Sequence, residues 1–150
     1  MNLFLDSAAI IKLYHKEKGT DKLSSFLSQY KDNLILIISD ISIIEVHSAL
    51  LKRVRFSEID LELVKDIFEA FNQDLSIFLI IETDNIVKKQ AIKLLDDLAH
   101  SFSLKTLDAL HLSSAIFFNR YDKIDYFITS DKRFLNIIKN YFPILNPEEI

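Results

Sequence analysis

Hydrophobic positions along the chain fall into two alternating patterns. Short apolar runs of strand length occur at residues 2–5, 34–38, 76–81, 125–129 and 144–145. The segments between them carry apolar residues at helical spacing and predict helices over residues 7–17, 21–30, 41–55, 57–72, 84–100, 106–120 and 131–140. In the first helix Ala9, Ile10, Leu13 and Tyr14 share a face; in the fifth, Val87, Ala91, Leu94, Leu95 and Leu98 do. The helix over 106–120 is apolar nearly all round, as a helix packed on several sides is. The run at 34–38 has no polar alternation, which fits a strand covered on both faces. Ser57 reads as the cap opening the fourth helix, and Gly19 as a break between the first two. Strands separated throughout by helices imply an α/β fold, a mainly parallel sheet with helices on both faces, and one domain over residues 1–150.

Composition narrows the chemistry. The 150 residues include no Cys, one Gly and two Pro. That excludes disulfide frameworks, thiolate metal sites, cysteine nucleophiles and glycine-rich phosphate loops. The apolar runs are far shorter than the roughly 20 residues that span a bilayer. Asp6 interrupts the apolar start and no base precedes it, so the sequence predicts a soluble, cytoplasmic protein without a signal peptide or a membrane partner. Acids outnumber bases 22 to 18, a formal net charge of −4, which by itself speaks against a general nucleic-acid binder.

In a parallel α/β sheet the strand-to-helix turns emerge at one edge, and ligands bind there. Acids recur at these turns. Asp6 ends the first strand, Glu45 stands one turn into the third helix, Asp108 lies in the first turn of the sixth, and Asp131 follows the fourth strand. Each also has an ordinary structural reading. Asp6 and Asp131 are good helix N-caps, Ser42-Ile43-Ile44-Glu45 is formally a capping box, and Asp108 complements the positive end of its helix. Asp40 and Asp84 have the same readings. Gathered at one rim, four carboxylates would raise one another's pKa, a penalty that a divalent cation removes. Oxygen ligands without Cys or paired His suit Mg²⁺ or Mn²⁺. Such an ion serves phosphodiester hydrolysis by polarising a phosphoryl oxygen and activating water. Lys12, Lys16, Lys52, Arg53, Arg55, Lys105, Lys132 and Arg133 lie near these turns and would help a polyanion approach, although each read singly is a solvated helix face.

At these residues the sequence resembles the PIN-domain endoribonucleases, specifically the VapC-type toxins of type II toxin–antitoxin pairs. Leu5-Asp6-Ser7-Ala8-Ala9-Ile10-Ile11-Lys12-Leu13-Tyr14 resembles the family's opening, and Ile44-Glu45-Val46-His47-Ser48-Ala49-Leu50 its second block. Leu107-Asp108-Ala109-Leu110-His111-Leu112, with Ala115 following, resembles the third, and Phe127-Ile128-Thr129-Ser130-Asp131-Lys132-Arg133-Phe134 the fourth. The blocks stand in the family's order and span nearly the whole chain.

The resemblance implies a PIN-like three-layer sandwich around a five-stranded sheet in the order 3-2-1-4-5. It implies that Asp6, Glu45, Asp108 and Asp131 form a catalytic acidic pocket for Mg²⁺ or Mn²⁺, with Ser7, Thr129 and Ser130 supplying assisting hydroxyls. It further implies an RNA substrate of the tRNA or rRNA class, cut to leave a 3′-hydroxyl and a 5′-phosphate. A homodimer and a cognate antitoxin laid over the early helices belong to the same expectation. Tyr14, Phe26, Leu27 and Tyr30 are candidate floor residues for the antitoxin groove, with core packing as their ordinary reading. Lys105 stands where many relatives carry Arg, which weakens any phosphate fork there. His111 reads as a packed histidine or one standing behind the acids, not as a ligand. Two other functions stay open: a catalytically inactive PIN-fold binding module, and an RNA-processing nuclease outside a toxin–antitoxin pair. A phosphotransfer role calls for a second Asp two residues after Asp6, where Ala8 stands.

Overall fold

Strand β1 (Asn2–Leu5) is buried along its whole length at the centre of the sheet. The computed structural model describes all 150 residues. On one side β1 pairs with β2 (Ile35–Ser39), which pairs with β3 (Phe78–Ile81); on the other it pairs with β4 (Tyr126–Ile128), which pairs with β5 (Ile144–Leu145). Every pairing is parallel, as the alternation of strands and helices predicts, and the order is β3-β2-β1-β4-β5, as the family resemblance implies.

The two-residue period of β1 divides the core. Leu3 and Leu5 face one hydrophobic cluster with α1 (Ser7–Tyr14), α2 (Thr20–Gln29), α3 (Ile41–Arg55) and α4 (Leu61–Asp74). Phe4 faces the other, with α5 (Asn85–Leu98), α6 (Thr106–Asn119) and α7 (Lys132–Ile138). Fully burying a side chain such as Leu5 or Ile38 stabilises by about 1.5–3 kcal/mol relative to leaving it exposed. Phe4 also stacks on Phe127 with ring centroids 4.9 Å apart, which ties β1 to β4. Tyr14 packs edge-on against Phe71, Phe26 packs against Tyr30 and Tyr126, and Leu27 lies against the same cluster, so the core reading holds for these three. Tyr30 alone is more open, at 37% exposed.

Three local expectations are corrected. Ser57 does not open a helix. It has φ 58° and closes α3, with its amide on the Val54 carbonyl and the Glu58 amide on that of Arg53. This is a Schellman ending with serine in the left-handed position that glycine usually takes; α4 begins only at Leu61, after Asp60. The first helix stops at Tyr14, short of residue 17. Its last turn is secured by Lys12, which is buried and bonded to Glu17 at 2.7 Å and Glu148 at 3.2 Å. Gly19, at φ 89°, lies against the same C-terminal segment, and a β-carbon there would stand 2.8 Å from the Pro147 oxygen. Finally, the Ser42–Glu45 capping box does not form. Asp40 precedes α3 without a side-chain cap, Ser42 Oγ is buried without a partner, and Glu45 turns elsewhere.

The strand order reverses between β1 and β4, the later strands being added on the opposite side of β1, and a parallel sheet opens a crevice at such a point. The Asp6 amide donates to the Ile128 carbonyl at 3.2 Å, so the turn leaving β1 stays tethered to β4 at that point. No helix is long and apolar enough to cross a membrane.

Candidate active site

Asp6 follows β1 directly and caps α1, its Oδ1 accepting from the Ala9 amide at 2.8 Å. Asp131 caps α7 in the same way, its Oδ1 accepting from the amides of Arg133 at 2.9 Å and Phe134 at 3.1 Å. Asp108 accepts the Lys105 amide through Oδ2 at 2.9 Å at the start of α6. Three of the acids thus do perform their ordinary helix-start roles. A capping carboxylate has a second oxygen, however, and the fold gathers all three residues with Glu45 around one cavity of about 420 Å³. Ser7, Lys105, His111 and Arg133 are also in its wall.

The electrostatics are uneven. Asp6 is 6% exposed, and burial pushes its carboxyl up to about 6, against the pull of the Thr129 hydroxyl and the Ala9 amide. Glu45 bonds His111 Nε2, whose ring is buried and leaves Nδ1 without a partner. Arg133 spans the other two acids, with Nη1 2.6 Å from Asp108 Oδ2 and Nη2 3.0 Å from Asp131 Oδ2. A third anchor for the guanidinium is the Ser103 carbonyl, in the loop before α6. The PIN-domain family model matches residues 3–140.

The chain belongs to the PIN-domain family.

Solved structures agree on the fold. VapBC2 from Rickettsia felis, crystallised bound to a DNA fragment from its promoter, is 18% identical with a TM-score of 0.71, covering 97% of this chain and 98% of its own. A toxin–antitoxin complex from Klebsiella pneumoniae is 18% identical with a TM-score of 0.66 and 99% coverage of both chains. VapC20 from Mycobacterium tuberculosis, a toxin that cleaves the sarcin–ricin loop, is 12% identical with a TM-score of 0.63, covering 90% of this chain and 94% of its own. No curated protein sequence matches the chain.

Asp40, Asp84, Thr129 and Ser130 of this PIN domain are not in the cavity wall. Asp40 bonds the Thr83 hydroxyl and, at 3.1 Å, the Thr83 amide. Asp84 caps α5 through the amides of Ile86 and Val87. Thr129 is buried behind the wall, its Oγ1 accepting from the Asp131 amide at 3.1 Å, and Ser130 Oγ is buried without a partner. Arg133 escaped sequence reasoning as a specific site residue because it looked like its neighbour Lys132. The two differ in the fold: the Lys132 side chain is 77% exposed and that of Arg133 is 30% exposed. The one available signal was its place in the helical turn that Asp131 caps.

The pocket suits a divalent cation in donor chemistry, since its acids offer hard oxygen ligands. In the present side-chain positions no three acidic or histidine groups converge closely enough to hold an ion. A positive charge already stands between two of them, the guanidinium of Arg133. The residues fit a cation, with an internal one in its place.

Proposed function

We propose that this PIN domain is an Mg²⁺- or Mn²⁺-dependent endoribonuclease, the toxin of a type II toxin–antitoxin pair. The observation that carries the reading is the shared cavity: Asp6, Glu45, Asp108 and Asp131, from four separate segments, line it together with Lys105 and Arg133. Asp6, Glu45, Asp108 and Asp131 would hold the ion, which when bound supplies Lewis-acid polarisation of a phosphoryl oxygen and acidifies water. Asp6 sits deepest and fixes the inner limit of the site. His111 Nε2 holds the Glu45 carboxylate, so that its direction is set before any substrate arrives. Lys105 and Arg133 offset the negative charge of an approaching RNA backbone. Ser7 lies in the wall, whereas Thr129 stands behind it, steadying the Asp131 backbone and acting through its hydroxyl on the Asp6 carboxyl.

The substrate class is structured RNA of the tRNA or rRNA type, and the partners are a cognate antitoxin and a second copy of the chain. The toxin complexes among the structural neighbours support the antitoxin, and the sarcin–ricin loop cleaved by VapC20 supports the RNA class. The deciding experiment incubates the purified chain with structured RNAs and Mn²⁺ or Mg²⁺, with chelator and with Asp6→Asn as controls. Cleavage that both controls abolish supports the reading. Cleavage indifferent to chelation overturns the metal mechanism, and RNA binding without cleavage leaves a binding module in its place.

A further inference from the structure

We propose that Arg133 is the resident counter-cation of the acidic pocket, holding Asp108 and Asp131 until a divalent ion displaces it. The inference rests on the metal-dependent reading above and concerns how tightly that site takes its ion.

Asp131 is the point of competition. Its Oδ1 already accepts two amide hydrogen bonds, from Arg133 at 2.9 Å and Phe134 at 3.1 Å. A carboxylate oxygen has about two acceptor positions, so Oδ1 is fully engaged. The remaining oxygen, Oδ2, is the one that Arg133 Nη2 occupies at 3.0 Å. An ion can therefore reach Asp131 only through Oδ2, where Arg133 already takes one of the two acceptor positions, unless the cap of α7 is broken.

Asp108 shows the same conflict more mildly. Its Oδ2 is shared between the Lys105 amide at 2.9 Å and Arg133 Nη1 at 2.6 Å. A guanidinium forked across two carboxylates is a strong, geometrically fixed arrangement. Here the Ser103 carbonyl braces it further, and the Asp108 side chain is only 14% exposed, so solvent screens the pair less than it would an open surface bridge. A divalent ion entering beside Arg133 meets like charge at short range, has to share Asp131 Oδ2 with it, and finds only Oδ1 of Asp108 unengaged. Arg133 thus neutralises the acids whenever no ion is bound and weakens metal binding by its like charge and the cost of its own displacement.

The test is a calorimetric titration of Mn²⁺ into the full chain at neutral pH, for wild type, Arg133→Gln, Arg133→Lys and Asp6→Asn, with melting curves in chelator. Arg133→Gln should bind Mn²⁺ roughly tenfold to a hundredfold more tightly, the weight of the charge-assisted bonds removed. It should also melt lower in chelator and gain more on adding saturating Mn²⁺. Arg133→Lys, with one point charge and no fork, should fall between it and wild type. If Arg133→Gln does not fold, Arg133→Lys decides: tighter Mn²⁺ binding than wild type supports the proposal and equal binding overturns it. Wild-type binding that Asp6→Asn abolishes, with Arg133→Gln no tighter, overturns this proposal and leaves the metal site standing. No Mn²⁺ binding by any of the folded proteins overturns both.

Discussion

The imidazole of His111, on α6, donates through Nε2 to the carboxylate of Glu45, on α3, 66 residues away in the chain. The pair joins two helices whose starts face the same cavity. Glu45 is the one acid of the four that caps no helix, so this bond is what sets its direction. His111→Leu should lower kcat on RNA by about 10–100-fold, the usual cost of losing a group that orients a metal-site ligand. Stability should change by less than about 1 kcal/mol, because the lost bond is offset by removal of the unpartnered Nδ1. His111→Gln, which keeps a donor, should recover much of the rate. Steady-state kinetics and thermal melts of the two variants check this.

Asp6 predicts a stability effect opposite to its effect on activity. Its carboxyl ordinarily titrates at 3.8 and burial raises it to about 6 in the folded protein. The folded state therefore holds this proton more tightly than the unfolded chain. The sign follows: stability falls as pH rises from about 4 to 6, and at neutral pH the buried charge costs about 3 kcal/mol, taking about 1.4 kcal/mol per tenfold change in proton affinity. Asp6→Asn should stabilise the metal-free protein by up to that amount at pH 7.5 and much less at pH 4.5, while abolishing RNA cleavage. Denaturant titrations in chelator at the two pH values measure it. An equal gain at both would show that charge burial is not the cause.

Glu45→Gln and Asp108→Asn should reduce activity alike, each on the order of a hundredfold or more, if both residues serve one reaction centre. Their stabilities should differ. Asp108→Asn weakens the bond to Arg133 at 2.6 Å and the acceptor for the Lys105 amide, whereas Glu45→Gln removes no cap. A Glu45→Gln protein with normal turnover would remove Glu45 from the site.

Lys12 predicts a purely structural loss. It is buried against Glu17 and Glu148 and also donates to the Lys18 carbonyl at 2.9 Å. Lys12→Met would leave Glu17 with Arg53 at 2.8 Å and Glu148 with Lys18 at 3.3 Å but remove the buried cation they share, at a cost of about 1–3 kcal/mol, below that of breaking a fully buried pair. The loss should shrink on acidification. The pKa of Glu148 is lowered first by its bond to Lys12, and that of Glu17 is lowered by its bonds to Lys12 and Arg53 against the opposing effect of burial. Their stabilising contribution is present above the ordinary carboxylate range and disappears as pH falls through their lowered values. Melting temperatures of the variant and wild type between pH 3 and 8 would test both parts.

The strand and helix succession was readable because burial obeys the fixed periods of the backbone. Leu3 and Leu5 against Phe4, or the all-apolar face of α6, need no distant information. Asp6 and Asp131 were readable too, since a short acid at a strand-to-helix turn caps whatever helix follows. Strand order came from the family resemblance, and the fold agrees with it. Where a residue served two elements, local reading chose wrongly: Ser57 looked like the start of α4 but ends α3.

Side-chain partnership was a different matter. Glu45 has a local partner available in the Ser42 amide and instead meets His111; Arg133 resembles Lys132 in sequence and alone bridges Asp108 and Asp131. Lys12 carries the charge of a surface residue and is buried. Long polar side chains have several rotamers of similar energy, and the winner depends on which opposite charge the assembled fold brings within reach and how much water it leaves between them. Periodicity along the chain holds no record of that choice, which is made only when α3, α6 and α7 come together at one end of the sheet.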